Sequence, residues 1–386
     1  MNMIERYVER MMTESTPDKP LWNIEQIKGG KPNGWNYIDG CMMTALLNLH
    51  RITGERRYYD FAERYVDYYV AEDGKLRGYA EEDYNLDNIC EGRVLFDLYR
   101  LSGKEKYRRA IDVLRGQLTR QPRTVEGSFW HKKIYPNQVW LDGLYMAQVF
   151  YARYATELDD CRGYEDIQRQ FHTVRTRMYD AKTGLYRHGY DASRTAFWAD
   201  KETGCSRNPW LRSLGWFSAA LVDVTEQIAP GHEDFREEMT NIARELAKNL
   251  LPYIDKDTHM LYQVPNQIGR EGNYPETSGS AMVAYFYLKG ARLGILDAKY
   301  AETGEEIFLS ICRKYLSERD GKLNLGGICL VAGLGPENNR RRDGSYAYYI
   351  SEPVVENDAK GLAPFLMCYT ELLLSGRGVR VEAEVG

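Results

Sequence analysis

Two kinds of connection alternate along this chain, and their alternation constrains the fold more than any single segment does. One is a tight link that ends a helix on Gly and restarts on a Tyr-bearing helix: RITGERRYYDFA at 51–62, RLSGKEKYRRA at 100–110 and, more loosely, LGILDAKYAETG at 293–304. The other follows the second helix of each pair and carries Asp or Gly before a short extended tail: AEDGKLRGY at 71–79, DAKTGLYRHGY at 180–190, DKDTHMLYQV at 255–264 and ERDGKLNLGG at 318–327. Apolar residues recurring at three and four predict about twelve helices, beginning near residues 2, 38, 55, 86, 104, 142, 163, 211, 233, 278, 299 and 359. Strand-like alternation is confined to short pieces of loop. The chain therefore reads as all-α and built of repeated helical hairpins. Six hairpins close into a ring of inner and outer helices, an (α/α)6 barrel with its long loops gathered at one end. An open solenoid is the rival, but solenoid repeats keep a uniform length, whereas these loops run from a few residues to the segment 318–358. Uneven loops rich in aromatic and charged residues belong on an active-site face.

With 43% hydrophobic and 28% charged residues in 386, there is apolar material for a large core. No linker divides it, so residues 1–386 read as one domain. A formal net charge of -5 without any block of Lys or Arg excludes a groove that neutralises nucleic-acid phosphates. No apolar run reaches membrane-spanning length, and the N-terminal MNMIERYVERMMTES mixes charges into what a secretory signal keeps as an unbroken apolar core. Seven cysteines, an odd number with no CxxC pair, fit buried reduced thiols rather than a disulfide framework. The expectation is a cytoplasmic protein, monomer or homodimer, that meets neither nucleic acid nor membrane. Walker A, GxGxxG, HExxH, GxSxG and zinc-spaced Cys/His patterns are all missing from the sequence, so neither cofactor nor metal is expected.

The segment HKKIYPNQVWLDGLYMA, 131–147, places a carboxylate at the mouth of a helix among aromatic rings. A polar loop runs to Gln138, and Asp142-Gly143 then open an apolar-periodic run through Leu144, Tyr145, Met146, Val149 and Phe150. An Asp in that position is ordinarily a helix cap. Here Trp130, Trp140, Trp198, Trp210 and Trp216, five of the seven tryptophans, crowd the surrounding stretch, and indole faces stack on the apolar faces of sugars. Asp87, in YNLDNICEGRVLFDLY at 84–99, precedes a helix in the same way. Two carboxylates at corresponding helix starts of a ring can face each other across its central depression, the usual equipment for acid/base work on sugars. The stretch 184–217 adds His188, Asp191, Trp198, Trp210, Arg212 and Trp216. Arg212 and Trp216, four apart, share a helix face and would suit a sugar that bears a carboxylate. EGNYPETSGSAMVAYF at 271–286 and DGSYAYYISEPVVENDAKG at 343–361 put hydroxyls and carboxylates just ahead of helices, as caps or pocket walls.

Six segments then stand together in order: NLDNI at 85–89, WLDGLYMA at 140–147, YRHGYD at 186–191, WLRSLGWF at 210–217, NYPETSGSAM at 273–282 and SEPVVENDAKG at 351–361. In these the chain resembles the unsaturated rhamnogalacturonyl hydrolases, glycoside hydrolase family 105, relatives of the unsaturated glucuronyl hydrolases. The resemblance implies an (α/α)6 barrel and a metal-free reaction on small oligosaccharides, such as an unsaturated rhamnogalacturonan disaccharide from pectin, that carry a terminal 4,5-unsaturated uronate left by a polysaccharide lyase. It makes Asp142 the general acid/base and Asp87 its assistant. It places His131, Trp140, Met146, His188, Arg212 and Trp216 against the sugar. NGWNYIDG at 33–40 resembles the family's first inner-helix entry, so that Trp35 or Tyr37 lines the cleft. A sugar epimerase or isomerase on the same fold and a non-catalytic carbohydrate-binding toroid are the alternatives.

The implied substrate is an enol ether whose C4 is electron-rich, so the reaction needs a proton on carbon. Protonation at C4 leaves an oxocarbenium between C5 and the ring oxygen, water adds at C5, and the hemiketal opens and expels the neighbouring sugar. An ordinary Asp, with a pKa near ~3.9, carries its proton in only about one molecule in a thousand at neutral pH. Desolvation by indoles and the like charge of Asp87 are expected to raise Asp142, against a helix N-terminus worth only ~0.3 to 1 kcal/mol. His131 or His188, with an ordinary pKa near ~6.5, is the rival acid.

Overall fold

The computed structural model describes residues 2–377 and 384–385. In chain order its helices are α1 (Met3–Thr13), α2 (Ile24–Gly29), α3 (Tyr37–Thr53), α4 (Arg56–Asp67), α5 (Asp87–Cys90), α6 (Arg93–Ser102), α7 (Glu105–Arg120), α8 (Leu141–Gly143), α9 (Val149–Leu158), α10 (Tyr164–Met178), α11 (Leu211–Gln227), α12 (Glu233–Leu250), α13 (Thr277–Arg292), α14 (Lys299–Tyr315), α15 (Tyr346–Ser351) and α16 (Ala359–Leu374). All twelve expected helices are present. Two are composite: a turn at 91–92 separates α5 from α6, and a π-helical turn, Leu144–Gln148, joins α8 to α9. The short α2 and α15 lie inside connections and, at six residues each, are too brief to show a periodic apolar face.

Burial sorts the long helices into two layers. On α12 one stripe is buried, Phe235, Met239, Ile242, Ala243, Leu246, Ala247 and Leu250, as an outer helix with one wet face requires. On α13 every residue from Thr277 to Gly290 is buried, and α16 is buried from Ala359 to Leu372. Helices covered on all sides belong inside the ring. The inner helices α3, α5/α6, α8/α9, α11, α13 and α16 pack side by side in chain order, and α16 returns onto α3. That return closes the ring, excludes the open solenoid and makes the fold an (α/α)6 barrel. Each of the first five inner helices packs on the outer helix that follows it. The sixth outer position is filled from the other end of the chain by α1, where Asn2 Nδ2 donates to the Tyr369 hydroxyl of α16 at 2.6 Å and the Tyr7 hydroxyl donates to Asn357 just ahead of it.

The two connection types have different physical jobs. Gly54 and Gly103 end α3 and α6 at φ 73° and φ 69°, a left-handed conformation that only Gly adopts without strain, and their N–H groups cap the His50 and Tyr99 carbonyls. In the second type, Asp180 and Asp255 accept hydrogen bonds from the backbone of Lys182 and Thr258, turning the chain before its extended tail. Those tails lead to the amino-terminal ends of the inner helices. There the strand Gln138–Trp140 pairs antiparallel with Gly189–Asp191, and Ile328–Cys329 with Val354–Val355. The seven cysteines are unpaired, six of them buried. Among the described residues no helix is long and apolar enough to cross a membrane.

Candidate active site

Asp87 and Asp142 open α5 and α8, neighbouring inner helices at the loop-bearing end. Each is held against a histidine by a backbone bond to the residue before it. The Leu86 N–H donates to the His131 carbonyl at 3.1 Å, and the Leu141 N–H to the His188 carbonyl at 3.1 Å. The His131 N–H in turn donates to the Gln138 carbonyl at 2.8 Å, so the loop that carries His131 is tied to the two-stranded ribbon that carries His188. Segments about a hundred residues apart in sequence thus present two Asp–His pairs side by side.

In the first pair, His131 Nε2 lies 3.4 Å from Asp87 Oδ1, and Lys132 Nζ lies 2.5 Å from Asp87 Oδ2. In the second, His188 Nε2 faces Asp142 Oδ2 at 3.4 Å, while His188 Nδ1 meets the Tyr349 hydroxyl at 2.8 Å. The contact between Asp142 and His188 is longer than a hydrogen bond of good geometry. Asp142 Oδ2, His188 Nε2 and His131 Nδ1 are all buried without a hydrogen-bond partner. Asp142 is 8% exposed and its side chain caps nothing, so the helix-cap reading does not describe it. Buried polar atoms left unsatisfied are costly and uncommon, and three of them converge here. Gly143 permits the approach: a Cβ there would lie 3.2 Å from His131 Nδ1 and 3.3 Å from a Leu86 methyl.

The expected raising of Asp142 is overturned. Burial does push its carboxyl up, but the hydrogen-bonding capacity of His188 and, in the acid range where they are protonated, the charges of His188 and then His131 outweigh burial and hold it below the ordinary value. Asp87 does not act as the anticipated like charge, because Lys132 and His131 face its two oxygens. Burial lowers His131 to about 4, with the Asp87 charge opposing, so its imidazole is neutral at neutral pH and it is no ready rival acid. Lys132, half-buried, is raised because Asp87 more than offsets the loss of water around it.

Aromatic rings wall the site. Trp140 stacks on His131 at 4.4 Å and stands edge-on to His188 at 5.6 Å, Tyr135 stacks on Trp140 at 4.7 Å, and Trp210 lies 4.8 Å from His188. Trp198 packs in the same cluster as Trp140 and Tyr135. Trp216 stacks on Tyr145 at 4.5 Å and meets Tyr37 edge-on at 6.2 Å. Trp35 is set aside from this face: it is buried against Tyr69 and its indole N–H donates to the Asn88 carbonyl at 2.7 Å. Tyr37, edge-on to Trp216, is the one of the two on this aromatic wall. Met146 lies in the π turn within the main apolar core.

Arg212 does not pair with Trp216 as its spacing implied. Its guanidinium lies over Trp210 at 4.7 Å and directs its terminal nitrogens at the Cys329 and Leu330 carbonyls and the Ser278 hydroxyl. Asp191, Glu276 and Asp358 have backbone work. Asp191 accepts from Ser193, Thr195 and Ala196, Glu276 from Ser278 and Gly279, and Asp358 from Lys360. Three residues of the site escaped the sequence reading. Lys132 stood beside His131 in the quoted segment, Tyr349 lay in the singled-out stretch 343–361, and Arg342, just outside that stretch, donates from Nε to the Gly333 carbonyl beside Trp140.

Residues 3–375 match the family model described as Glycosyl Hydrolase Family 88. The chain belongs to that family. Within this glycosyl hydrolase family the likeness is close to a solved family 105 glycoside hydrolase from C. acetobutylicum: 40% identity, a TM-score of 0.86, and coverage of 95% of this chain and 98% of that one. Protein Atu3128 of Agrobacterium fabrum is 40% identical over 221 residues, 55% of this chain and 92% of that protein. The unsaturated rhamnogalacturonyl hydrolase YesR of Bacillus subtilis is 24% identical over 207 residues, 52% of this chain and 56% of YesR. Family 88 membership makes the chain a glycoside hydrolase.

Proposed function

We propose that this glycoside hydrolase, acting as one catalytic domain, removes a terminal 4,5-unsaturated uronate from lyase-generated oligosaccharides by hydrating the C4=C5 bond. The observation that carries the reading is the Asp142 carboxylate, buried, unsatisfied at Oδ2 and 3.4 Å from His188. The name of YesR supports a rhamnogalacturonan-derived substrate. Unpaired thiols throughout support a reducing, cytoplasmic setting.

The substrate itself supplies what the free enzyme lacks. Its carboxylate brings a negative charge and displaces water, and both effects favour the neutral form of Asp142, so a proton is taken up on binding. Protonated Asp142 gives that proton to C4. Its carboxylate then accepts one from the water that attacks C5, and the hemiketal opens. Asp87, held by Lys132 and His131, lends its charge to the developing oxocarbenium. His188 sets which state Asp142 holds. If the Tyr349 hydroxyl donates to Nδ1, the N–H sits on Nε2 and favours the carboxylate; if Nδ1 carries the hydrogen, the bare Nε2 favours the acid. Trp140, Trp216, Tyr37 and Met146 shape the subsite, Arg212 holds the ribbon behind it, and Arg342, with no carboxylate partner among the described residues, receives the uronate.

Replacing Asp142 by Asn tests this directly. Asp142→Asn keeps the fold and slows the loss of the ultraviolet absorbance of the C4=C5 bond by about 10²- to 10⁴-fold. Turnover within a few-fold of the parent would remove Asp142 from the chemistry.

A further inference from the structure

A second cavity, of about 460 Å³, opens on the barrel axis at the end opposite Asp142. It is lined from the carboxyl-terminal halves of the inner helices, by residues such as Asn48, Arg51, Arg153, Asp223 and Lys289. From Asp142 to Arg153 on one composite helix is about 16 Å at 1.5 Å per residue, so the two sites are separate. Between them stands Tyr145, with Trp216 stacked on its ring at 4.5 Å and the Arg93 guanidinium 4.4 Å from its centroid.

The charges in this pit do not cancel evenly. Its carboxylates all have cationic partners: Asp97 and Glu157 share Arg153, Asp223 and Glu226 share Lys289, and Glu371 holds Arg292. Among the described residues Arg51 and Arg93 form no ion pair with a carboxylate, although Asp97 and Glu226 feel the charge of Arg51 and Arg93 that of Asp223. Arg93 is 4% exposed, its Nη2 meets the Cys41 sulfur at 3.3 Å, and its Nε and Nη1 are buried without a hydrogen-bond partner, the guanidinium lying over the Tyr145 ring. A buried guanidinium left in that state is strongly unfavourable. The carboxyl ends of the inner helices oppose an anion, but each amounts to about half a charge that fades within the last turn, whereas Arg93 lies on the first turn of α6. The side-chain amides of Asn48 and Gln227, which also line the pit, make no hydrogen bond among the described residues.

We propose that this pit is a second small-molecule site, taking a hydroxylated metabolite that bears one oxyanion, a carboxylate or a phosphate. Arg93 and Arg51 hold the oxyanion, for which the guanidinium fork is suited, and Asn48 and Gln227 address hydroxyls. The volume lies within the range of about 300 to 1,000 Å³ usual for such ligands.

The test uses the intact chain, titrated calorimetrically with inorganic phosphate and separately with D-glucuronate at constant ionic strength, and crystals soaked in each. At least one probe binds with density against Arg93; preference for phosphate identifies a phosphorylated ligand, preference for glucuronate a sugar acid. Arg51→Gln, a change on the exposed rim, weakens that binding at least tenfold and leaves turnover of the unsaturated substrate unchanged. Absence of both probes from the pit in the soaked crystals, or an affinity untouched by Arg51→Gln, overturns the proposal. Neither result bears on Asp142, so the catalytic reading stands or falls separately.

Discussion

At the scale of single residues, the site is governed by who faces whom, and that decides the pH dependence. Asp142 lies below its ordinary value in the free protein. If it must be protonated to act, the competent fraction of free enzyme shrinks as pH rises above that value. The ratio kcat/KM reports the free enzyme, so between pH 5 and 8 it should fall with rising pH, approaching tenfold per unit. The rate at saturation reports the complex, where the substrate charge raises the carboxyl, and kcat should hold to a higher pH. A kcat/KM that is flat or rises across this range would contradict protonated Asp142 as the donor. Lys132→Met strips Asp87 of its nearest cation, at 2.5 Å. The exposed negative charge then favours protonated Asp142, and the fall in kcat/KM should move to higher pH; an unmoved profile would show that Asp87 and Asp142 do not sense one another.

At the scale of elements, the sequence and the structure agree where local chemistry decides and part where distant segments meet. Gly54 and Gly103 announce helix ends because the left-handed cap needs no partner beyond its own last turn. Asp87 and Asp142 were legible as helix openers for the same reason. The π turn at Leu144–Gln148 was not, since its residues carry the same apolar recurrence as an α-helix. The pKa direction of Asp142 was not legible either, because it rests on His188, brought across by ribbon pairing, and on Lys132 diverting Asp87. Spacing within one helix points Arg212 at Trp216, but loop carbonyls from 329–330 draw it toward Trp210. Gly143 tests the element itself. In Gly143→Ala the gain of about 1 kcal/mol in helix propensity opposes a contact of 3.2 Å with His131. His131 should yield by a few tenths of an ångström, leaving the melting temperature nearly unchanged while kcat falls several-fold, since placement errors near 1 Å can cost about 10². A stable variant with full kcat would show that the spacing between His131 and the Asp142 helix is not critical.

At the scale of the whole molecule, ring closure couples the ends of the chain. The last inner helix packs between the first inner helix and α13, and α1 covers it from outside. Contacts across more than 300 residues of sequence form late and bring no return until the ring is nearly complete, which favours melting as one unit. Tyr7, 1% exposed in α1 and bonded to Asn357, sits at that seam. Tyr7→Ala removes an aromatic ring from a packed site, a loss of about 3 to 5 kcal/mol. At about 2 cal/mol/K per residue, that lowers the melting point of a chain this long by roughly 4 to 6 °C. If the barrel is one cooperative unit, calorimetry shows a single transition moved down by that amount, and amide exchange accelerates in α3 and α13 as well as in α1. If instead α1 is an appendage, exchange quickens in α1 alone and the main transition stays in place, and closure would then owe nothing to the N-terminal helix.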